Sequence, residues 1–234
     1  MLTENKFGKY LTYAIGEIIL VVIGILIALA INNWNNERLD KQEAKVTGRN
    51  IHDEFAKNQL ILRKIIDLYT DSFNASVSLT YLMGLPREEL LEHNLDSLFN
   101  SSMELDYYFP TSKSFDDVLK SGRLLENVEL KNTLMDWISL MDQIKTYDEL
   151  ITNWQYSQYL PYLTSFASLK QMNIYNQKVY GGESKIKTDY YTMFQDIRLE
   201  NILNNYLYLI QFSIEQLNGI EKVQRKIIDL TINS

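Results

Sequence analysis

An apolar run near the start of the chain limits its fold more than any other feature. From Ile18 to Ile31 there is no polar side chain, and the run extends back to Tyr10 with few interruptions, among them Glu17. About 20 largely apolar residues make a helix of about 30 Å, which matches the hydrocarbon thickness of a bilayer. The pattern therefore predicts a transmembrane helix over residues 10–36.

The remaining composition favours one modest helical domain. A tail of residues 1–9 precedes the anchor, and residues 37–234 follow it, enough to bury a hydrophobic core. Nine glycines and three prolines are few for a β-rich chain with many tight turns. We therefore predict an all-α fold, in which one N-terminal transmembrane helix continues into an antiparallel bundle of three long and two short helices.

Charge and cysteine content exclude several classes of function. Residues 1–36 carry two lysines and two glutamates, so the net charge of -7 lies on residues 37–234. An acidic domain repels phosphate backbones, so we expect no nucleic-acid partner. Because the chain has no cysteine, disulfides, thiolate nucleophiles and cysteine metal sites are excluded.

A cleaved signal peptide is the alternative interpretation of the apolar run. Ala28-Leu29-Ala30 fits the small-x-small cleavage pattern. Against cleavage, the apolar stretch is long for a signal, Glu17 lies inside it, and helix-compatible sequence continues past Asn36. These features favour an uncleaved anchor. More Lys and Arg follow the segment than precede it, and that count by itself favours a cytoplasmic C-terminal side.

The anchor and its flanks carry a specific pattern. It consists of Lys9-Tyr10, the run YAIGEIILVVIGILIAL from Tyr13 to Leu29, and INNWN from Ile31 to Asn35. The pattern closely resembles a bacterial family of uncharacterised single-pass membrane proteins typical of the Bacteroidota. The resemblance is looser over Phe115 to Leu134, where Ser121-Gly122 precedes a Leu-rich helix start.

That resemblance implies architecture and location. Members of the family usually carry a strongly basic stretch before the anchor, which implies an inner-membrane protein with a cytoplasmic N-terminus and a periplasmic bundle. This chain has only Lys6 and Lys9 in that place. The family has no established activity, so the resemblance implies no mechanism.

Glu17 is the sharpest candidate within the anchor. A carboxylate in a membrane segment is costly and marks a functional candidate. Its position one to two turns inside the membrane favours snorkelling or a hydrogen bond between helices over a ring of carboxylates that conducts ions.

Other anchor residues predict packing and depth. Gly16, Gly24 and Ala28 share roughly one helix face, and Gly24-x-x-x-Ala28 is a small-x-x-x-small pair of the kind that favours helix association. The interfacial anchors are predicted to be Tyr10, Tyr13 and Trp34.

Apolar periodicity divides the rest of the chain into helices. The first helix has a core-facing stripe formed by Ile51, Phe55, Asn58, Leu62, Ile65, Tyr69, Ser72 and Ser76. Its predicted interruption is at Gly48, and its end is at Gly84 and Pro86. Further helices are expected over 87–99, 115–120, 128–174 and 197–232, with a loop at 100–110 and a kink or break at Pro161. In an up-down-up bundle, the 128–174 helix descends and returns residues 170–185 towards the membrane.

A second candidate surface lies between Leu150 and Gly182. Its only charged residues are Lys170 and Lys178, and its aromatic residues are Trp154, Tyr156, Tyr159, Tyr162, Phe166, Tyr175 and Tyr180. Low charge with Tyr and Trp is typical of protein interfaces. The favoured alternative is bundle core plus an aromatic collar near the membrane.

Catalytic chemistry finds no support in the motifs. There are two histidines, neither with metal-helix spacing, and no phosphate-loop, dinucleotide or nucleophile-elbow motif. We therefore predict no catalytic, cofactor-binding or metal residues, no cofactor and no enzymatic activity. The leading hypothesis is a membrane-anchored interaction or scaffold protein whose partners are the lipid bilayer, itself or other membrane proteins. A ligand-sensing extracytoplasmic bundle and an ion- or proton-pathway subunit built on Glu17 are the alternatives.

Overall fold

The computed structural model describes residues 4–121, 127–176, 182–186 and 188–232. Its helices are α1 (Glu4–Tyr81), α2 (Arg87–Leu90), α3 (Leu95–Met103), α4 (Lys113–Ser121), α5 (Val128–Trp154), α6 (Leu160–Thr164), α7 (Leu169–Met172), α8 (Tyr190–Phe194) and α9 (Ile197–Thr231). A π-helix, Gln155–Tyr159, joins α5 to α6, and a 3-10 helix, Asn173–Asn176, follows α7. No strand occurs in the described ranges, so the all-α prediction is confirmed.

Helix α1 is one unbroken helix of 78 residues, about 115 Å long. The interruption predicted at Gly48 is wrong, because the helix passes through it. From Gly8 to Thr47 no residue is buried, and Gly48 is the first buried position. Packing therefore begins at Gly48, and we call this end of the bundle the anchor end and the opposite end, near Gly84, the distal end.

Gly84 ends the first helical run as predicted. Its φ of 75° lies in the left-handed region that glycine adopts without strain. Its N–H donates to the carbonyl oxygen of Phe194 at 2.8 Å, so the turn after α1 is tied to the end of α8. Pro86 then precedes α2 as its N-cap residue.

Helix α9 runs antiparallel to α1, whereas α5 runs parallel to α1. Near the anchor end, Phe55 of α1 packs against Trp137 from the first half of α5, with the two rings 5.0 Å apart. Further towards the distal end Tyr69 donates to Asp148 at 2.8 Å. The expectation that this helix descends is therefore wrong, and the segment after it lies at the distal end, not near the membrane.

The reason is a return connection that the sequence pattern did not reveal. Residues 104–112 form no helix and cover about 30 Å when extended. Fully buried Asn58 holds this segment against α1: its Nδ2 donates to the Thr111 carbonyl at 2.7 Å and its Oδ1 accepts the Thr111 N–H at 3.1 Å. On the opposite side Gln224 of α9 donates to the Tyr108 hydroxyl. The chain thus returns to the anchor end before α5 begins.

Two predicted helices are shorter than expected. The 87–99 helix is divided because Asn94 caps α3, accepting the Ser97 N–H at 3.1 Å, and α3 continues to Met103. The 128–174 helix passes into the π-helix and ends at Thr164, and Ser168 then caps the separate helix α7. The break predicted at Pro161 is thus close to the real one, whereas the extension to Ile174 is wrong.

Candidate functional site: an uncovered helix and an aromatic groove

Within the described residues, α1 is the one helix with the length and apolar composition of a membrane span. Its most apolar window is entirely unburied, and Leu20, for example, is 73% exposed. A signal sequence near an N-terminus can also be long and apolar enough to meet this criterion. What the structure adds is that no described part of this chain covers the apolar segment.

The predicted packing residues of the anchor face outward. Glu17 is exposed and has no hydrogen-bond or ion-pair partner among the described residues. A Cβ added at Gly16 or at Gly24 would meet nothing within 4 Å, and Ala28 is exposed as well. Glu17, Gly24 and Ala28 are seven and four residues apart, so they share one helix face. No described residue of the chain packs against that face, which is open to a neighbour from another molecule.

Exposed aromatic residues bracket the apolar segment. Tyr10, Tyr13 and Trp34 are 74%, 79% and 64% exposed. The rise from the tyrosines to Trp34 is about 31 to 36 Å, which matches a bilayer with aromatic rings at head-group depth. The guanidinium of Arg38 lies 5.8 Å from the centre of the Trp34 ring, just outside the apolar segment.

The aromatic residues predicted as a second interaction surface do not form one surface. Tyr159 and Tyr162 are buried in the core, and Trp154 and Phe166 are half-buried. Tyr156 is 68% exposed, and Tyr175 is 45% exposed. Tyr180 lies outside the described residues. For Tyr159 and Tyr162, the alternative that these residues belong to the bundle core therefore fits the structure.

The collar alternative fails on position. The Tyr175 hydroxyl donates to the Asn94 side chain at 3.0 Å, and Asn94 caps α3 near the distal end. This places Tyr175 at the end of the bundle farthest from the apolar segment, because α5 rises along α1. An aromatic collar at the membrane surface therefore cannot include it.

A half-buried carboxylate lies between α1 and α5. The Tyr69 hydroxyl donates to Asp148 Oδ1 at 2.8 Å, and Thr152, which also contacts the Tyr107 hydroxyl, donates to the Asp148 carbonyl at 2.7 Å. Burial raises the pKa of Asp148 to about 6, although the Tyr69 hydrogen bond opposes the rise. Among the described residues no cation lies within 4 Å of this carboxylate. Its negative charge is therefore uncompensated.

The π-helix aims two polar side chains into the core beside this carboxylate. The Leu160 N–H donates to the Gln155 carbonyl, which is an i to i+5 bond, and Pro161 has no N–H to continue the regular pattern. Gln155 donates to the Tyr206 hydroxyl at 2.6 Å. The fully buried Tyr159 hydroxyl contacts Ser102 Oγ at 2.8 Å. In the sequence, the signal for these buried contacts was the presence of polar residues within otherwise apolar stripes.

An open groove lies on the outer side of Asp148. It has a volume of about 570 Å³ and is lined by Tyr107, Phe109, Lys145, Asp148, Glu149, Thr152, Asn153 and Tyr156. Phe109 is 78% exposed and its ring lies 6.3 Å from that of Tyr107. We call this feature the aromatic groove. Sequence reasoning found Tyr156 but missed the other rings, whose signal was the aromatic triplet at residues 107–109.

A second groove contains part of the predicted interaction surface. It also has a volume of about 570 Å³, with Trp154, Tyr162 and Phe166 among its lining residues. Arg198 lies over the Tyr162 ring at 5.4 Å and donates to Asp196 at 2.6 Å. These hydrogen bonds lower the pKa of Asp196 to about 2. Unlike the aromatic groove, this groove has its charges already paired.

Metal-binding clusters do not occur in the described part of the chain. No group of three or more His, Asp or Glu side chains there is close enough to hold an ion. The polar contacts of Tyr69 with Asp148, Tyr159 with Ser102 and Gln155 with Tyr206 are therefore hydrogen bonds within the bundle and not a metal site.

These observations define a class of protein: an all-α bundle built on one continuous N-terminal helix whose apolar segment is uncovered. The chain belongs to a family of unknown function, DUF6090, whose model matches residues 17–201. That range includes most of the apolar segment and all the residues of the aromatic groove. No curated protein and no solved structure matches the chain.

Proposed function

We propose that this protein is a membrane-anchored, non-catalytic scaffold that uses α1 to dock with a second copy of itself or with other membrane proteins. The observation that carries the proposal is the continuity of α1, which runs without a break from the uncovered apolar segment into the bundle core. A rigid helix that joins a bilayer to a bundle holds the bundle at a fixed height. A partner that docks on the apolar end of α1 would therefore also shift the position of the bundle.

The part of α1 between the apolar segment and the bundle supports the docking role. Asn32 to Thr47 forms about 24 Å of helix with no buried residue. Leu39 and Val46 are 47% and 59% exposed on this stretch, seven residues apart. Isolated helices of this length are marginal in water, because most helix stability in proteins comes from tertiary packing. A protein neighbour along this stretch would supply that packing.

The proposal includes a location, which the family resemblance and the apolar segment support. We place the protein in the bacterial inner membrane, with a cytoplasmic N-terminus and a periplasmic bundle. In this arrangement Glu17 lies near the cytoplasmic face, where its carboxylate reaches head groups or a hydrogen-bond donor on a neighbouring helix.

The test is the assembly state of the full chain. The protein is purified in a mild detergent through a C-terminal tag, its mass is measured by light scattering, and co-purifying proteins are identified. We expect a homodimer or a defined complex with other membrane proteins. A monomer at every concentration, with no bound protein, would reject the docking role.

A matched pair of substitutions locates the docking face. Gly24→Ile adds a side chain at a position where the described part of the chain offers no obstacle within 4 Å, so an effect on association would come from a neighbouring molecule. We expect it to reduce association, whereas Val22→Ile, on the opposite face, leaves association unchanged. Equal behaviour of the two variants would remove the small-residue face from the proposal.

A second candidate function is ligand sensing by the bundle. The aromatic groove favours it, because exposed rings beside an uncompensated carboxylate are a binding chemistry that a simple scaffold does not need. Ligand binding would then affect α1 directly, because Tyr69 of α1 donates a hydrogen bond to Asp148.

A further inference from the structure

The aromatic groove combines three rings with a local excess of negative charge. Tyr107, Phe109 and Tyr156 line it together with Asp148 and Glu149, and the one cation in its lining is Lys145. The faces of aromatic rings attract cations, and the attraction is strongest where water is partly excluded. A groove lined by aromatic rings and carboxylates therefore favours a ligand that carries a positive charge on an apolar group.

The carboxylate of Asp148 has no cation within ion-pair distance among the described residues. Its Oδ1 accepts from Tyr69, while its Oδ2 has no hydrogen-bond partner among the described residues. Lys145 and Glu149 are exposed, and neither side chain forms an ion pair with a described residue. A half-buried carboxylate that no cation neutralises costs free energy that an incoming cation would recover.

We propose that the aromatic groove binds a small organic cation, an ammonium or guanidinium group on an apolar body, between the three rings and against Asp148. The groove volume of about 570 Å³ lies within the range of small-molecule sites. The head groups of the protein's own bilayer are out of reach, because Tyr69 lies about 52 Å along α1 from Trp34.

The charged and titratable groups around Asp148 set the pH dependence. Tyr69 faces it from α1 and Tyr107 from the return connection, while Tyr206 of α9 lies close to Tyr69, and burial raises the pKa of Tyr69 and of Tyr206. The Tyr69 and Tyr206 hydroxyls therefore stay neutral between pH 5 and pH 7.5. On α5 itself, the charged neighbours of Asp148 in the groove are Lys145 and Glu149. Cation binding should then weaken as pH falls through about 6, when Asp148 takes up a proton.

The experiment uses the full chain in phosphatidylcholine nanodiscs, with empty nanodiscs as the baseline. Benzyltrimethylammonium is titrated by calorimetry at pH 7.5 and pH 5, and benzyl alcohol serves as the neutral aromatic control. We expect saturable one-to-one binding of the cation at pH 7.5, about tenfold weaker binding at pH 5, and no saturable binding of the alcohol.

Matched variants separate the site from the fold. Asp148→Asn and Phe109→Ala should each weaken cation binding by about tenfold or more, and Phe109 is exposed enough for its removal to leave the fold intact. Asp142→Asn removes an exposed carboxylate from another face of α5 and should change nothing. Lys145→Gln removes a competing positive charge and should strengthen binding.

Three results would overturn the inference. They are equal binding of the cation and the alcohol, wild-type affinity in both Asp148→Asn and Phe109→Ala, and saturable binding of the tripeptides Gly-Lys-Gly or Gly-Arg-Gly without binding of benzyltrimethylammonium. The last result would assign the groove to a basic side chain of a protein partner. None of these outcomes bears on the docking of α1, which is tested by assembly state alone.

Discussion

At the residue scale, a few polar side chains on core-facing stripes determine how the bundle is connected. The α1 stripe predicted from periodicity is buried as expected, including Asn58, Ser72 and Ser76. Periodicity could not show that Asn58 pairs with the backbone of Thr111, because the partner lies 53 residues away. In the same way Ser72 donates to the Ser102 carbonyl at 2.6 Å and fixes α3 on α1. The sequence reveals the polar exceptions but not what they bind.

The pH dependence of stability tests the Asp148 environment. Its native pKa of about 6 lies above the ordinary value of 3.8, so the native state holds an extra proton between pH 4 and 6. Stability from this group is therefore present at low pH and is lost as pH rises through that window. We expect Asp148→Asn to gain on the order of 2 kcal/mol relative to wild type between pH 4 and 7.5. Denaturant unfolding at both pH values measures this, and parallel profiles would contradict it.

Tyr159 tests the buried hydroxyl pair at the π-helix. Because Ser102 Oγ already donates to the Phe99 carbonyl at 2.8 Å, the Tyr159 O–H is the donor to Ser102. Tyr159→Phe should cost about 1 to 2 kcal/mol of unfolding free energy, since Ser102 loses a buried partner. Tyr156→Phe, at an exposed position of the same π-helix, is the control and should stay within about 0.5 kcal/mol. Equal effects of the two substitutions would mean that the buried hydrogen bond contributes nothing.

At the element scale, helix identity was more predictable than helix ends. Three long helices follow from apolar periodicity, and the end of α1 follows from Gly84 and Pro86. The π-helix at Gln155–Tyr159 and the short helix α8 did not follow. The wider turn depends on a missing N–H at Pro161 together with inward partners for Gln155 and Tyr159, and those partners are tertiary. Local propensity carries no information about them.

Two glycines give opposite predictions for the same substitution. Gly84→Ala forces a side chain into a φ of 75° and should destabilise the bundle by about 1 kcal/mol. Gly219→Ala lies inside α9, where the added Cβ would sit 3.9 Å from a methyl of Leu140, an ordinary contact. It should stabilise by up to about 1 kcal/mol. Thermal or denaturant unfolding of the two variants should therefore shift in opposite directions, and shifts of the same sign would contradict the assigned backbone geometry.

At the scale of the whole molecule, the decisive feature is the direction of α5. Simple up-down-up packing predicted its descent, because adjacent long helices joined by short loops are antiparallel. The chain after α3 returns once to the anchor end along residues 104–112, which makes α1 and α5 parallel. Helix α9 then runs antiparallel to both towards the anchor end, and along this path Glu221 of α9 pairs with Arg63 of α1 at 3.0 Å. The anchor end of the bundle is therefore formed by α4, the start of α5 and the end of α9.

With the proposed anchor in a bilayer, this arrangement puts the two proposed functions at different heights. The proposed docking surfaces on α1 would lie within and just above the membrane, and the aromatic groove lies at about half the height of the bundle. A continuous helix connects them. The account therefore depends above all on α1 remaining intact and in the membrane.

The most direct measurement is the intact mass and membrane partition of the full chain with a C-terminal tag, expressed in a bacterial host. Membranes are washed with alkaline carbonate, and the tagged protein in pellet and supernatant is weighed by mass spectrometry. The account predicts a protein that retains residues 10–36 and stays in the membrane pellet. A tagged protein that begins after Ala30 and appears in the supernatant would show that the apolar segment is a cleaved signal and would contradict the anchor.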